Sequence, residues 1–215
     1  MNTTAAPRLL RGISCFRRGM NITTPDGTKR VEDLRQGDLV VTRDNGPQPV
    51  LWRAGSKVIG EGPAAPIRLA KGFLGATEPL ELSGAHRVLL DHKGVSKRFD
   101  VPEILFPAKG LIDGTVVQKR PTGELRYFHI LLEGHEILQA NGVWCESLLL
   151  GDHLPETISP SALREFRRTV GIDMPTVHIF EPARRLVEVG KGRGIRQAYG
   201  LDARKDVAGE MSLAG

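Results

Sequence analysis

Cys15 stands where a polar, unpatterned stretch gives way to a chain of short apolar runs. A thiol in that place can attack the carbonyl of the residue before it, Ser14, and turn the peptide bond into a thioester. Three needs make the step difficult. The amide nitrogen is a poor leaving group and must be protonated. The tetrahedral oxyanion needs donors. The thioester is less stable than the amide, so the fold must strain the bond or remove the product. A histidine near the amide nitrogen meets the first need, and only tertiary structure can bring one there. Residue type alone leaves two readings of Cys15 open: a nucleophile, or a buried inert thiol, the commoner fate of a lone cysteine.

The other reactive side chains offer less. Two cysteines without a pairing motif and six dispersed histidines give no metal-ligand spacing, and no cofactor is implied. Cys145 follows Trp144 in an apolar run and reads as core, with Glu146 beside it. His92 reads as an exposed turn residue, and His153 and His178 as surface or tail positions. Gly192-x-Gly194 is too short for a dinucleotide loop.

The elements that must position any site are short. With 25 Gly and 14 Pro in 215 residues, the chain carries more turn punctuation than a helical bundle tolerates. Apolar runs broken every eight to twelve residues predict an all-β fold. Strands are expected at Ile22-Thr23-Thr24, from Arg30-Val31, at 39–42, 50–59, 80–82, 87–90, 115–117, 127–132, 136–140 and 143–147. Asp44-Asn45-Gly46 and Asn141-Gly142 are hairpin signals, since Asn and Gly accept positive φ. Residues 102–111 read as a helical turn. Beyond residue 154, Ser159-Pro160-Ser161 resembles a helix start, and 162–170 reads as a short basic helix. The last twenty-five residues are poor in large apolar side chains and are expected to be mobile. Leu34-x-x-Gly37-x-x-Val40 recurs as Leu111-x-x-Gly114-x-x-Val117, three matched positions that fit a fold of two related halves.

Composition excludes several classes. Thirty Lys+Arg against 25 Asp+Glu give a net charge of +5, but the basic residues fall in scattered pairs rather than one face, so no specific nucleic-acid partner is expected. Aromatics at 5% leave little for base stacking. No apolar run of 18 residues exists, so no membrane span is expected. Leu9-Leu10 ahead of Cys15 lacks a hydrophobic region, and no apolar stretch follows Arg17-Arg18. A cytoplasmic location is therefore the default, with export by a route other than Sec left open.

Cys15-Phe16, Ile22-Thr23-Thr24-Pro25-Asp26-Gly27, Val31-Glu32-Asp33-Leu34, Gly37-Asp38-Leu39-Val40 and Thr42 together resemble the opening block of the Hint (Hedgehog/intein) superfamily, closest to its stand-alone bacterial domains. Leu82-Ser83-Gly84-Ala85-His86-Arg87-Val88-Leu89 looks like the family's Thr-x-x-His block, with Ser83 in place of Thr. Tyr127-Phe128-His129-Ile130 through His135 to Asn141-Gly142-Val143 looks like its penultimate strands. The resemblance covers about residues 13–152 in three ordered blocks.

The resemblance implies a flattened horseshoe of short twisted strands with pseudo-twofold halves. The expected divisions are a flanking peptide 1–14, a Hint domain 15–154 and an extension 155–215, helical and then mobile. It implies that Cys15 is the nucleophile of an N-to-S acyl shift at Ser14-Cys15, and that His86 protonates the departing nitrogen. Ser83 would hold that amide or the histidine, and His129 and His135 would be acid–base or orienting groups. Where inteins end in His-Asn, this chain has Glu146-Ser147, and Ser147 has no amide to close a succinimide. The expected activity is therefore one-sided, single-turnover self-cleavage without full splicing. Water or an external nucleophile would resolve the thioester and release fourteen residues. The rival reading is a catalytically silent Hint-fold binding module, with a protein partner engaged through the C-terminal tail.

Overall fold

The structure is a computed structural model that describes residues 14–150, Arg164, Glu165, Arg168 and 180–201. Its regular elements are mostly strands, with two short helices among the described residues. The chain opens with β1 (Phe16–Arg17), then a hairpin of β2 (Asn21–Thr24) and β3 (Gly27–Arg30), and a second hairpin of β4 (Leu39–Thr42) and β5 (Gly46–Pro49). The long β6 (Trp52–Ile59) leads to β7 (Ile67–Leu69), β8 (Leu80–Leu82), β9 (Arg87–Leu90), helix α1 (Lys93–Phe99) and β10 (Ile104–Pro107). After β11 (Val117–Lys119) and the long β12 (Glu124–Leu131) comes the hairpin β13 (Ile137–Ala140) and β14 (Val143–Glu146). A late segment adds β15 (Arg185–Leu186) and helix α2 (Arg193–Ala198).

Two sheets result. One runs β11-β7-β8-β1-β12-β6; the other runs β15-β10-β9-β14-β13-β2-β3, with β4 and β5 attached through β13. Their apolar faces close on a core that includes Phe16, Ile22, Leu34, Leu82, Phe106 and Phe128. A smaller cluster gathers Cys15, Trp52, Tyr127, Leu131, Leu148 and Leu150. Burial of this kind stabilises by roughly 1.5–3 kcal/mol per large apolar side chain, and it makes the two sheets one body around β1.

Local chemistry explains the turns. Asn141 and Gly142 adopt φ of 45° and 86°, the pair of left-handed residues that a two-residue hairpin between β13 and β14 demands. Asn141 also anchors its surroundings, accepting from the Asn21 N–H at 2.8 Å and donating to the Pro79 carbonyl at 2.8 Å. The repeated Leu-Gly-Val pattern has a structural counterpart. Gly37 and Gly114 have φ of 86° and 82°. Each follows a 3-10 turn, Val31–Asp33 or Ala108–Leu111, and precedes a strand, β4 or β11.

Several elements differ from the sequence expectation. The helical turn expected over 102–111 is β10 followed by a 3-10 turn. Ile104, Leu105 and Phe106 are fully buried between β9 and β15, and a short continuous apolar run does not distinguish strand from helix. The helix lies earlier, at α1, where Val95 and Phe99 are buried one turn apart. His92, exposed as expected, caps that helix by accepting the Gly94 N–H at 3.0 Å. The return strand after Pro25-Asp26 is Gly27–Arg30, ending where it was expected to begin. The strand expected at 115–117 starts at Val117, because the Asp113 carboxylate takes the N–H groups of Thr115, Val116 and Val117 into a turn. Proline in β5 hid an edge strand, which tolerates a missing donor.

Within the described residues the C-terminal extension includes a helix, α2, and residues 180–201 pack on the domain. β15 pairs in parallel with β10, and Val187, Ile195 and Leu201 are buried. The Arg184 guanidinium bridges Glu103 at 2.6 Å and Asp44 at 2.7 Å. The Tyr199 hydroxyl oxygen accepts the N–H groups of Asp91 and His92, each at 3.0 Å. Apart from the helical Arg164, Glu165 and Arg168, the basic helix expected over 162–170 lies outside the described residues. Among those residues no helix is long and apolar enough to cross a membrane.

Candidate active site

β1 has two residues, and its pairing on both sides decides the site. Against β12 it sets Phe16 opposite Phe128, and against β8 it sets Phe16 opposite Leu82. One step back along these antiparallel ladders, Cys15 falls between His129 and Ser83. The hydrogen bonds agree. Ser83 N–H donates to the Cys15 carbonyl at 2.9 Å, and Cys15 N–H donates to the Ser83 hydroxyl oxygen at 3.1 Å. The nitrogen of the Ser14-Cys15 peptide is thus held by a side chain.

The carbonyl of the same peptide is held from the other flank. Nδ1 of His129 lies 2.9 Å from the Ser14 carbonyl oxygen. A carbonyl only accepts, so Nδ1 carries the hydrogen. The neutral ring then presents a lone pair at Nε2, and Nε2 lies 3.9 Å from Cys15 Sγ. Burial pushes the His129 pKa down to about 4, against a partial upward pull from the Ser14 carbonyl. At neutral pH the ring is uncharged, with a donor on the carbonyl and an acceptor facing the thiol. Burial also pushes the Cys15 thiol far up, only partly offset by a hydrogen bond with Ser83. A free thiolate is disfavoured here.

His86 closes the amide side. It is fully buried, and its Nε2–H donates to the Glu146 carbonyl at 3.0 Å. Its Nδ1 is buried with no hydrogen-bond partner among the described residues. The ring packs edge-on against Phe16 with centroids 4.4 Å apart. Burial lowers its pKa, while the Glu146 charge and the Cys15 and Glu146 backbones pull upward.

A buried ion-pair network lies upstream of the peptide. β14 pairs Cys145 with Val88 of β9, which sets Glu146 beside Arg87. The Glu146 carboxylate, wholly buried, accepts the Arg87 N–H at 2.9 Å and the Arg87 Nη1 at 3.0 Å. It faces His135 Nε2 at 3.3 Å and accepts the Ser14 hydroxyl. Burial opposes its ionisation, but His135, Arg87, His86 and Ser14 together hold its pKa down at about 2. His135 in turn accepts the Ala183 N–H on Nδ1 at 3.0 Å. Ser147 exchanges hydrogen bonds with the Glu136 backbone, at 2.8 and 2.9 Å.

The structure therefore gathers Ser14, Cys15, Ser83, His86, His129 and His135 into one buried locus. The model of the family described as the Hint domain matches residues 14–152, well over half of the chain.

The chain belongs to the Hint-domain family. The family is one of self-processing domains, and that general class is the functional conclusion membership supports. The bacterial intein-like domain from Clostridium thermocellum is similar at 16% identity, with 62% of this chain and 98% of that chain covered and a TM-score of 0.44. A DnaB intein from Synechocystis sp. is similar at 12% identity, over 62% of this chain and 98% of that one, with a TM-score of 0.44. The gp41-1 intein is similar at 17% identity, over 61% and 97%, with a TM-score of 0.40. Among curated proteins none matches the chain.

Within this Hint domain, the network of Glu146, Arg87 and Ala183 is what the sequence reading left unassigned. One signal was present: Glu146 is the only charge in the apolar run 143–150, and a carboxylate that must be buried needs a partner. Arg87 becomes that partner only through the β9–β14 register. The Ala183 contribution is a main-chain N–H, which leaves no mark in a sequence.

Proposed function

We propose that this Hint domain cleaves itself between Ser14 and Cys15 by an N-to-S acyl shift, and that it does not splice. The observation carrying this reading is the His129 ring, which donates to the Ser14 carbonyl oxygen at 2.9 Å and turns its free nitrogen to Cys15 Sγ at 3.9 Å. Thiol proton and sulfur part in one step. Nε2 of His129 takes the proton while Sγ bonds to the Ser14 carbon, and the developing oxyanion rests on Nδ1–H. The ring gains positive charge as the oxygen gains negative charge, so the contact strengthens where the barrier lies.

Collapse of the intermediate breaks the carbon–nitrogen bond. The nitrogen, held by Ser83, takes a proton first bound at His86, and His129 returns the sulfur proton to solvent, so protons balance. His86 Nδ1, buried beside the Cys15 backbone, is the position on the amide side from which that proton is delivered, and the Glu146 charge stabilises the imidazolium that carries it. The products are a Ser14–Cys15 thioester and a free Cys15 amine. Water or an external thiol then attacks the thioester carbon and releases residues 1–14. No cofactor enters this sequence. Glu146 and Ser147 stand where a splicing domain needs His-Asn, and neither carries an amide that can cyclise.

Intact-mass measurement of freshly purified chain, with and without dithiothreitol, tests the reading. Loss of residues 1–14 in the wild type, accelerated by thiol and abolished in Cys15→Ala, is the expected result. A wild-type chain that stays whole under prolonged thiol treatment favours the silent binding module.

A further inference from the structure

Ser14 is fixed at two points, and the acyl shift uses only one. Its carbonyl oxygen meets His129; its hydroxyl donates to Oε1 of Glu146. Both residues are buried, Ser14 at 6% exposure and Glu146 at 0%. The carboxylate is held on its remaining sides by the Arg87 N–H at 2.9 Å, by Arg87 Nη1 at 3.0 and 3.3 Å, and by His135 Nε2 at 3.3 Å. Arg87 reaches it from β9, and His135 from the turn before β13, so the anion cannot swing away from residue 14. An ionised group in a dry site needs each direction filled. Here one direction is filled by the residue that departs on cleavage.

We propose that Glu146, clamped by Arg87 and His135, is a recognition subsite for the side chain preceding the scissile bond, selecting a short hydroxyl-bearing residue. The proposal rests on the Ser14-Cys15 cleavage reading and deepens it. A hydroxyl at position 14 satisfies the carboxylate and, through the same residue, aims the carbonyl at His129 Nδ1. A side chain of the same size without a donor leaves a buried acceptor unmatched and loosens that aim. Hydrogen bonds to charged groups carry a loss of about 10- to 100-fold when one partner is deleted. An acidic residue is worse, because it sets like charges together where water cannot screen them. Selection against a missing hydroxyl is the kind that polar subsites do well.

The experiment compares Ser14→Thr with Ser14→Val, which differ by the hydroxyl alone, together with Ser14→Asp, in the full chain under dithiothreitol. Cleavage followed by intact mass should run about 10- to 100-fold faster in Ser14→Thr than in Ser14→Val, and slowest in Ser14→Asp. Equal rates in the three variants overturn the subsite. A second measurement does not depend on cleavage: in a Cys15→Ala background, urea unfolding of Ser14→Ala, Glu146→Gln and the double variant closes a cycle. The combined change in the unfolding equilibrium should fall short of the product of the single changes by about fivefold or more. Strict multiplicativity overturns the proposal. If the wild type never cleaves, the reaction is lost, and the cycle still decides whether Glu146 reads position 14.

Discussion

The main-chain N–H of Ala183 donates to Nδ1 of His135 at 3.0 Å, across 48 positions of sequence. Ala183 lies beyond the 14–152 stretch that the family model matches, yet its bond fixes which nitrogen of His135 carries hydrogen. With Nδ1 accepting, the ring turns Nε2 to the Glu146 carboxylate, 3.3 Å away. Removing the donor should loosen it. Ala183→Pro deletes the N–H, whereas Ala183→Gly keeps it. Cleavage under thiol is expected to slow about fivefold in the first, the scale of one neutral hydrogen bond, and to hold in the second. Nitrogen chemical shifts of the His135 ring should report the lost tautomer preference, and unchanged shifts in Ala183→Pro would remove Ala183 from this role.

His129 is assigned two tasks, and its loss should exceed that of a residue with one. General bases contribute about 100- to 10,000-fold, and an oxyanion donor about 100- to 1,000-fold. His129→Ala is therefore expected to slow cleavage by roughly 1,000-fold or more, and His86→Ala by roughly 100- to 10,000-fold. Single-turnover time courses by intact mass measure both. A His129→Ala chain that cleaves within about tenfold of wild type would take this ring out of the chemistry.

How much of this was legible beforehand depends on what each feature is made of. Cys15, Ser83, His86 and His129 lie in ordered blocks whose spacing carries a family resemblance, so their types and rough places could be read directly. Gly37 and Gly114 were legible as a repeat because both need left-handed backbone after a short turn. The Arg87–Glu146 pair was not, since it exists only once β9 and β14 are in register. β10 was misread because a buried apolar run has no period to betray its conformation. The docking of 180–201 was not legible for a related reason: Arg184 holds it by charge and β15 by main-chain pairing, neither of which shows as hydrophobicity.

Gly55 faces Phe128 across the β6–β12 ladder, one position from His129. A Cβ built on Gly55 would stand 2.6 Å from Cε1 of the Phe128 ring. Phe128 is buried, and the Arg53 guanidinium lies over its ring at 5.4 Å, so a ring that yields must disturb that packing. Gly55→Ala is expected to destabilise the domain by about 1–3 kcal/mol, the usual scale of overpacking, and to slow cleavage by shifting β12. At Gly123 a Cβ meets nothing within 4 Å, and Gly123→Ala should stay within about 0.5 kcal/mol of wild type. Urea midpoints give both numbers; equal midpoints would mean the sheet relaxes around the methyl group.

Acid should weaken the fold in two stages, with His129 and the buried His86 contributing to the upper one and Glu146, with other paired carboxylates, to the lower. His129 titrates near 4 when folded, below its ordinary value of about 6.5. The unfolded chain therefore binds the extra proton first, and this part of the stability is complete above about 6.5 and drains as pH falls towards 4. The shift corresponds to roughly 3 kcal/mol. Glu146 titrates at about 2, below the ordinary value of about 4.3 for a glutamate, so its contribution is complete above about 4.3 and drains towards 2. Unfolding of the Cys15→Ala chain across this range should show stability falling from near neutrality downward. His129→Gln should diminish the upper stage and Glu146→Gln the lower. The same protonation removes the Nε2 lone pair, so cleavage should also fade as pH drops through about 4. A rate that rises in acid, or an upper stage undiminished in His129→Gln, would contradict the neutral, bridging ring on which the proposed reaction depends.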